Sequence, residues 1–231
     1  MIEQLGRVPG TSGEVVLRRR VGEDGSTRVE LIVDGVFAMD DADVSTERAL
    51  ATEALRRCTG DRLEVLVGGL GLGWTAATAL ASPRVAAVDV VELEPALVAW
   101  ARDGLLPGLP AAPAGRLRLH VADVADHLAA APGRWDAVLL DVDNGPGFLV
   151  HESNAALYRP AGLAAALAAL RPGGVLAIWS SSPAPELVDR LAGLPGAADA
   201  GQLLLPVDRD GHRLEYAVVT ARRAAGGQRS V

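Results

Sequence analysis

Three acidic residues stand just beyond three short apolar runs. Glu92 follows Ala86 to Val91, Asp123 comes two residues after Leu117 to Val121, and Asp141 follows Ala137 to Leu140. If each run is a parallel strand, the three carboxylates share the rim at which an open α/β sheet binds its ligand. A carboxylate there can accept hydrogen bonds from hydroxyls, hold a cation, or take a proton from a nucleophile. Ahead of them, Gly68, Gly69, Gly71 and Gly73 follow the apolar run Leu63 to Val67 and precede a helix from Thr75. Strand, glycine turn, helix and an acid about 20 residues on describe a nucleotide-binding βαβ unit with Glu92 on a ribose.

The spacing narrows the ligand. A dinucleotide loop reads G-x-G-x-x-G, which would need glycine where Trp74 stands, and an indole there crowds the place of a pyrophosphate. The spacing found, G-x-G-x-G through Gly69, Gly71 and Gly73, suits an adenosine cofactor without a pyrophosphate. Asp123 also precedes Val124 at a helix start, where an acid can serve as N-cap. Asp141 opens a polar Gly/Pro loop, Asp141-Val142-Asp143-Asn144-Gly145-Pro146-Gly147, and His151 follows it as a possible base or substrate contact. His120 falls in a strand and His127 in a helix, both structural positions. Neither G-x-S-x-G nor H-E-x-x-H occurs, which removes hydrolase and zinc-protease readings.

The positioning elements follow from apolar periodicity. Residues 1–13 read as a loose arm. Glu14 to Arg20, Thr27 to Val33 and Val36 to Met39 read as the strands of a small β unit over residues 1–44. Ser45 to Arg57 reads as a helix with Ser45 as N-cap. Strands 63–67, 86–91, 117–121, 137–140 and 175–179 then alternate with helices 75–81, 94–102, 124–131 and 154–170. Pro172-Gly173-Gly174 acts as a stop before the fifth strand. A further helix, 185–194, precedes a hairpin of Gln202 to Pro206 and Leu214 to Thr220. The expected architecture is a doubly wound, mostly parallel, seven-stranded Rossmann-like α/β sheet over residues 45–223. It ends in an antiparallel C-terminal hairpin and a disordered tail, 224–231.

Composition sets outer bounds. At 231 residues and 49% apolar content, one such domain can bury a full core. The net charge of −7 argues against sequence-independent nucleic-acid binding, which needs basic surface. The one cysteine, Cys58, can form no intrachain disulfide and sits in no metal-ligand spacing. The N-terminus lacks signal-peptide character, and no apolar run approaches the roughly 20 residues of a membrane span. A cytoplasmic protein without membrane or nucleic-acid partners is expected, acting on a small molecule.

Several stretches resemble the spermidine synthase (polyamine aminopropyltransferase) branch of the class I S-adenosylmethionine-dependent methyltransferase fold. They are Val65 to Gly73, Val91-Glu92-Leu93-Glu94-Pro95, Trp135 to Asp141, Leu157-Tyr158, and Leu170-Arg171-Pro172-Gly173-Gly174. Upstream, Leu31-Ile32-Val33-Asp34-Gly35 resembles the LxLDG strand of that branch. The resemblance implies Glu92 on the ribose hydroxyls and Asp123 on the adenine amino group. It makes Asp141 the acid that orients an amine and accepts its proton, and puts Asp143, Asn144, His151 and Tyr158 near the acceptor. With the small β unit, it also points to a homodimer.

The departures from that pattern fall in the acceptor half. The branch carries an acid in its glycine loop, where this chain, aligned through Thr75, has Leu72. Its Asp-Ser-Ser-Asp-Pro loop is here Asp141-Val142-Asp143-Asn144-Gly145, and its acid–tyrosine–histidine segment finds no tyrosine or histidine in Phe37 to Glu47. The sequence therefore favours S-adenosylmethionine (AdoMet) as cofactor, with methyl transfer to a small amine or hydroxyl. Aminopropyl transfer from decarboxylated AdoMet is the alternative, and a non-catalytic AdoMet-binding protein a third reading.

Overall fold

The computed structural model describes residues 1–11, 13–109, 115–142, 155–209 and 211–225. Four antiparallel strands come first: β1 (Ile2–Pro9), β2 (Glu14–Val21), β3 (Thr27–Val33) and β4 (Val36–Asp40), paired in that order. The segment expected to be a loose arm is thus largely a strand. Its own pattern is weak, and partners hold it: Ile2 to Pro9 pair with Arg20 to Glu14, and Glu3 takes an ion pair from Arg19 at 2.7 Å. Gly6 seats against the Trp100 ring, in space that a Cβ would fill.

The chain then alternates: α1 (Ser45–Arg57), β5 (Leu63–Gly68), α2 (Trp74–Ala81), β6 (Val85–Glu92), α3 (Pro95–Arg102), β7 (Leu117–Val121), α4 (Val124–Ala129) and β8 (Trp135–Leu140). It ends with α5 (Pro160–Ala169), β9 (Leu170–Ser180), α6 (Pro185–Ala192), β10 (Ala197–Arg209) and β11 (His212–Arg223). The seven strands β5 to β11 form one sheet in the order β10-β11-β9-β8-β5-β6-β7. Strands β5 to β9 run parallel, and β11 and β10 add antiparallel at one edge. β5 pairs with β6 on one side and β8 on the other, so the winding reverses there and opens a crevice at the carboxyl ends of the strands.

Two local readings change. Val44, not Ser45, is the N-cap of α1, and the Ser45 amide instead donates to Asp43 at 2.8 Å. The helix expected over 154–170 is seen only as Pro160–Ala169, because Arg159 is held extended before a proline that occupies the first turn. Pro172-Gly173-Gly174 falls inside β9 as an irregularity: Trp135 pairs with Leu170, but Ala137 pairs with Val175.

Two apolar layers cover the sheet. On one side Leu50, Ala54, Leu72, Ala79, Leu97 and Trp100 form a core, and Val15, Leu17, Val29 and Leu31 of the N-terminal sheet enter the same cluster. On the other, Leu128, Leu163, Leu167, Leu187 and Leu191 pack on Val138, Leu140, Leu176 and Ile178. The N-terminal sheet is therefore anchored on the face that carries α1 to α3, over the glycine loop. No helix among the described residues is long and apolar enough to cross a membrane.

Candidate active site

The glycine loop turns sharply between β5 and α2. Gly69 and Gly71 have φ of +90° and +49°, a region that favours glycine, and a Cβ on Gly69 would run into the Asp141 carbonyl. The Asp141 amide donates to Gly68 O at 2.8 Å and the Gly69 amide to Val91 O at 2.9 Å. These bonds tie the loop to the tips of β6 and β8 and fix Glu92 and Asp141 relative to one another.

Glu92 is buried at the end of β6. Its Oε2 accepts from the Leu70 amide at 2.7 Å and its Oε1 from the Glu94 amide at 2.8 Å. Burial raises its pKa, and the backbone donors work against that. A carboxylate offers about four lone-pair sites, so the two amides position the group and leave two for ligand hydroxyls. Asp123 is the N-cap of α4, accepting from the Ala125 amide at 2.7 Å, and it also lines the cleft. Capping and ligand contact are thus compatible, since the cap uses one oxygen of the carboxylate and leaves the other unused by it. Glu94 caps α3 and takes the Thr11 amide at 2.7 Å, which draws the connection between β1 and β2 onto the site.

Asp141 stands at the end of β8, partly buried. Thr75 Oγ1 lies 2.5 Å from its Oδ2 and 3.3 Å from the Glu47 carbonyl. The hydroxyl has one proton to give. With Asp141 ionised it donates to the carboxylate; with Asp141 protonated, the acid can donate to Oγ1 while the hydroxyl turns to Glu47 O. Burial, and then the charge of Glu47, push the Asp141 pKa up to about 7, against the Thr75 hydrogen bond. Burial also raises the pKa of Glu47, at the start of α1. Asp141 is therefore poised to exchange a proton near neutrality, as a general base must.

A cleft of about 210 Å3 joins these groups. Gly69, Gly71, Gly73, Glu92, Asp123 and Asp141 all line it. Glu47, Glu94, Met39 and Trp179, not singled out as ligand contacts from the sequence, line it as well. Tyr158, expected near the acceptor, is buried, and its hydroxyl donates at 3.0 Å to the carbonyl of Val142, which lines the cleft. It supports the backbone just after Asp141. Asp143, Asn144 and His151 lie outside the described residues. The signal for Glu47 was its place in the first turn of a helix that follows β4, and that for Trp179 its place at the tip of a parallel strand; nothing local marked Met39, which reaches the site through packing.

No protein-family model matches this sequence, and no curated protein matches it. Solved structures do. A spermidine synthase in complex with the transition-state analogue AdoDATO superposes with a TM-score of 0.76 at 15% identity, over 96% of this chain and 74% of that one. Spermidine synthase from Thermotoga maritima gives 0.74 at 15% identity, over 96% and 73%. A probable spermidine synthase from Corynebacterium glutamicum gives 0.66 at 15% identity, over 94% and 79%. This chain has the fold of spermidine synthases.

Proposed function

We propose that this protein transfers an alkyl group from an adenosyl sulfonium donor to an amine, and that the group is aminopropyl, drawn from decarboxylated AdoMet. One observation carries the reading. The described residues lining the cleft include five acids, Glu47, Glu92, Glu94, Asp123 and Asp141, and no arginine or histidine. A donor that keeps its carboxylate would set an anion among acids with no cationic side chain to meet it, a costly burial. The decarboxylated donor carries only positive charge outside its neutral adenosine. The likeness to spermidine synthases supports the same choice. The leucine in the glycine loop weighs less than the sequence suggested, because the Leu72 side chain is fully buried in the core.

The glycine loop, Glu92 and Asp123 are suited to hold the adenosine half. When bound, the donor supplies a carbon activated by its sulfonium: a C–N bond forms there, the C–S bond breaks and its electron pair stays on sulfur. Asp141 orients the acceptor nitrogen and takes its proton, since an ammonium has no lone pair with which to attack. The apolar roof of the N-terminal sheet excludes water and strengthens the pairing of cationic groups with the acids below.

Methyl transfer from AdoMet is the second reading, favoured by the absence of any acid from residues 68–74 of the loop. Calorimetric titration with both donors, followed by identification of the nucleoside product, separates the two. Tighter binding of decarboxylated AdoMet and release of methylthioadenosine are expected. Tighter binding of AdoMet with release of S-adenosylhomocysteine would establish methyl transfer instead.

A further inference from the structure

Two threonines hold two of the acids that line the cleft. Thr75, in the first turn of α2, is buried, and its Oγ1 lies 2.5 Å from Asp141 Oδ2. Thr46, in the first turn of α1, is buried too, and its Oγ1 donates to Glu47 Oε2 at 2.7 Å. A helical threonine commonly turns its hydroxyl back to the carbonyl four residues earlier, as Thr78 does to Trp74 O at 2.8 Å. Thr75 instead directs its hydroxyl across to the tip of β8. Its other contact, at 3.3 Å, is to the backbone carbonyl of Glu47, and the Glu47 carboxylate is the one that Thr46 holds. Branching at Cβ restricts both side chains to few rotamers, so each hydroxyl is fixed where its carboxylate lies. Neither threonine lines the cleft itself.

Resting on the reading of Asp141 as the base, we infer that Thr75 and Thr46 are positioning residues that divide the roles of two carboxylates: Thr75 keeps Asp141 ready to receive the acceptor's proton, and Thr46 keeps Glu47 as its charged neighbour. The two hydroxyls therefore act on Asp141 in opposite directions. Burial, then the charge of Glu47, push the Asp141 pKa up to about 7, and the Thr75 bond opposes them. Burial raises the pKa of Glu47, and the Thr46 bond opposes it; Asp43 adds to the rise and Arg209 of β10 works against it. Without the Thr75 hydroxyl the ionised form of Asp141 loses a donor, so its midpoint should rise. Without the Thr46 hydroxyl Glu47 takes up a proton more readily, its charge opposes Asp141 less, and the Asp141 midpoint should fall. Glu92, Glu94 and Asp123 line the same cleft and are left in place by both substitutions.

The test is a pH titration of the Asp141 carboxyl by carbon NMR, in protein labelled with carboxyl-labelled aspartate, the signal being identified by its loss in Asp141→Asn. Thr75→Val keeps the shape without the hydroxyl and should raise the midpoint by about one pH unit, a roughly tenfold smaller ratio of ionised to protonated acid. Thr75→Ser keeps the hydroxyl and should titrate with the parent. Thr46→Val should lower the midpoint by about half a pH unit, roughly threefold in the same ratio. Thr75→Ala and Thr46→Ala repeat the measurement if a valine variant does not fold. A midpoint that Thr75→Val leaves in place or lowers, a serine variant that titrates like the valine one, or a midpoint that Thr46→Val leaves in place or raises would overturn the inference. Each comparison sets a variant against the parent, so any other charge near Asp141 enters both alike. Because the titration reads protonation and not turnover, it stands even if donor and product assays refute aminopropyl transfer. The acid limb of kcat/KM should follow the midpoint from variant to variant; limbs that stay together while the midpoints separate would refute Asp141 as the base, and not the hold of the threonines on the two acids.

Discussion

Replacing Asp141 by Asn probes stability and chemistry at once. In the fold the Asp141 carboxyl titrates at about 7, because burial and Glu47 oppose its ionisation. In an unfolded chain it titrates near 3.9, so the gap of roughly three units amounts to about 4 kcal/mol at most. Part of Asp141 still reaches solvent, which brings the expected cost of its charge to about 2–3 kcal/mol. The folded pKa is the higher one, so between about pH 4 and pH 7 the folded state keeps a proton that the unfolded state has released. Stability should therefore fall as pH rises through that window and stay low above it. Asn carries no charge and can keep a hydrogen bond with Thr75. Urea unfolding of Asp141→Asn should match the parent near pH 4, lose the slope, and exceed the parent by about 2–3 kcal/mol at pH 8. The same substitution should remove the acid limb near pH 7 from the profile of kcat/KM and lower the rate by about 10²–10⁴. A variant whose stability tracks the parent from pH 4 to 8, or a parent whose acid limb lies near pH 4, would refute the reasoning.

Three further outcomes follow from the same geometry. Glu47→Gln removes the negative neighbour of Asp141, so the acid limb of kcat/KM should move to lower pH; a limb that stays in place would show that burial alone sets it. Asp89 is fully buried. Burial alone would raise its pKa, but hydrogen bonds from Arg118, Trp135 and His120 hold it well below the usual carboxylate range. Its contribution is therefore present above about pH 4 and lost as pH falls through the folded value. Asp89→Asn should destabilise the protein by about 3 kcal/mol at pH 7, less at pH 3, as read by urea unfolding. Arg209, at the end of β10, pairs with buried Asp40 at 2.8 Å and lies over the Phe37 ring. Because Asp40 ends the strand that carries Ala38 and Met39, Arg209→Ala should cost about 1–3 kcal/mol and raise KM for the acceptor more than it changes kcat.

The sheet was legible where short runs are buried on both faces. Leu63–Gly68 and Trp135–Leu140 are apolar almost throughout, and each is followed by turn residues before its helix. β1 was not legible, since its residues are mostly exposed and its partners are β2 and Trp100, neither of which a local pattern can reveal. The start of α5 has a local signal in Pro160, which fits the first turn of a helix and not its interior. Pro172-Gly173-Gly174 was read as a boundary, yet a strand can absorb such a tripeptide where its partner β8 continues past it.

The same division runs through the cleft. Glu92, Asp123 and Asp141 each sit next to their own strand, so topology alone carries them to one rim. Trp179 reaches the rim by the same topology, from the tip of β9, whereas Glu47 and Met39 come from α1 and β4 and meet it only through packing of α1 and the N-terminal sheet onto the domain. What a carboxylate does there depends on these distant neighbours. Asp141 read by itself is an ordinary acid, ionised well below neutrality. Beside Glu47 and the Thr75 hydroxyl it becomes a group that can receive a proton at pH 7, in a cleft that Met39 and Trp179 also line. The loop leucine was the misleading local cue: it located a missing charge at a side chain that packs into the core, while the acid for the acceptor end entered from the first turn of α1.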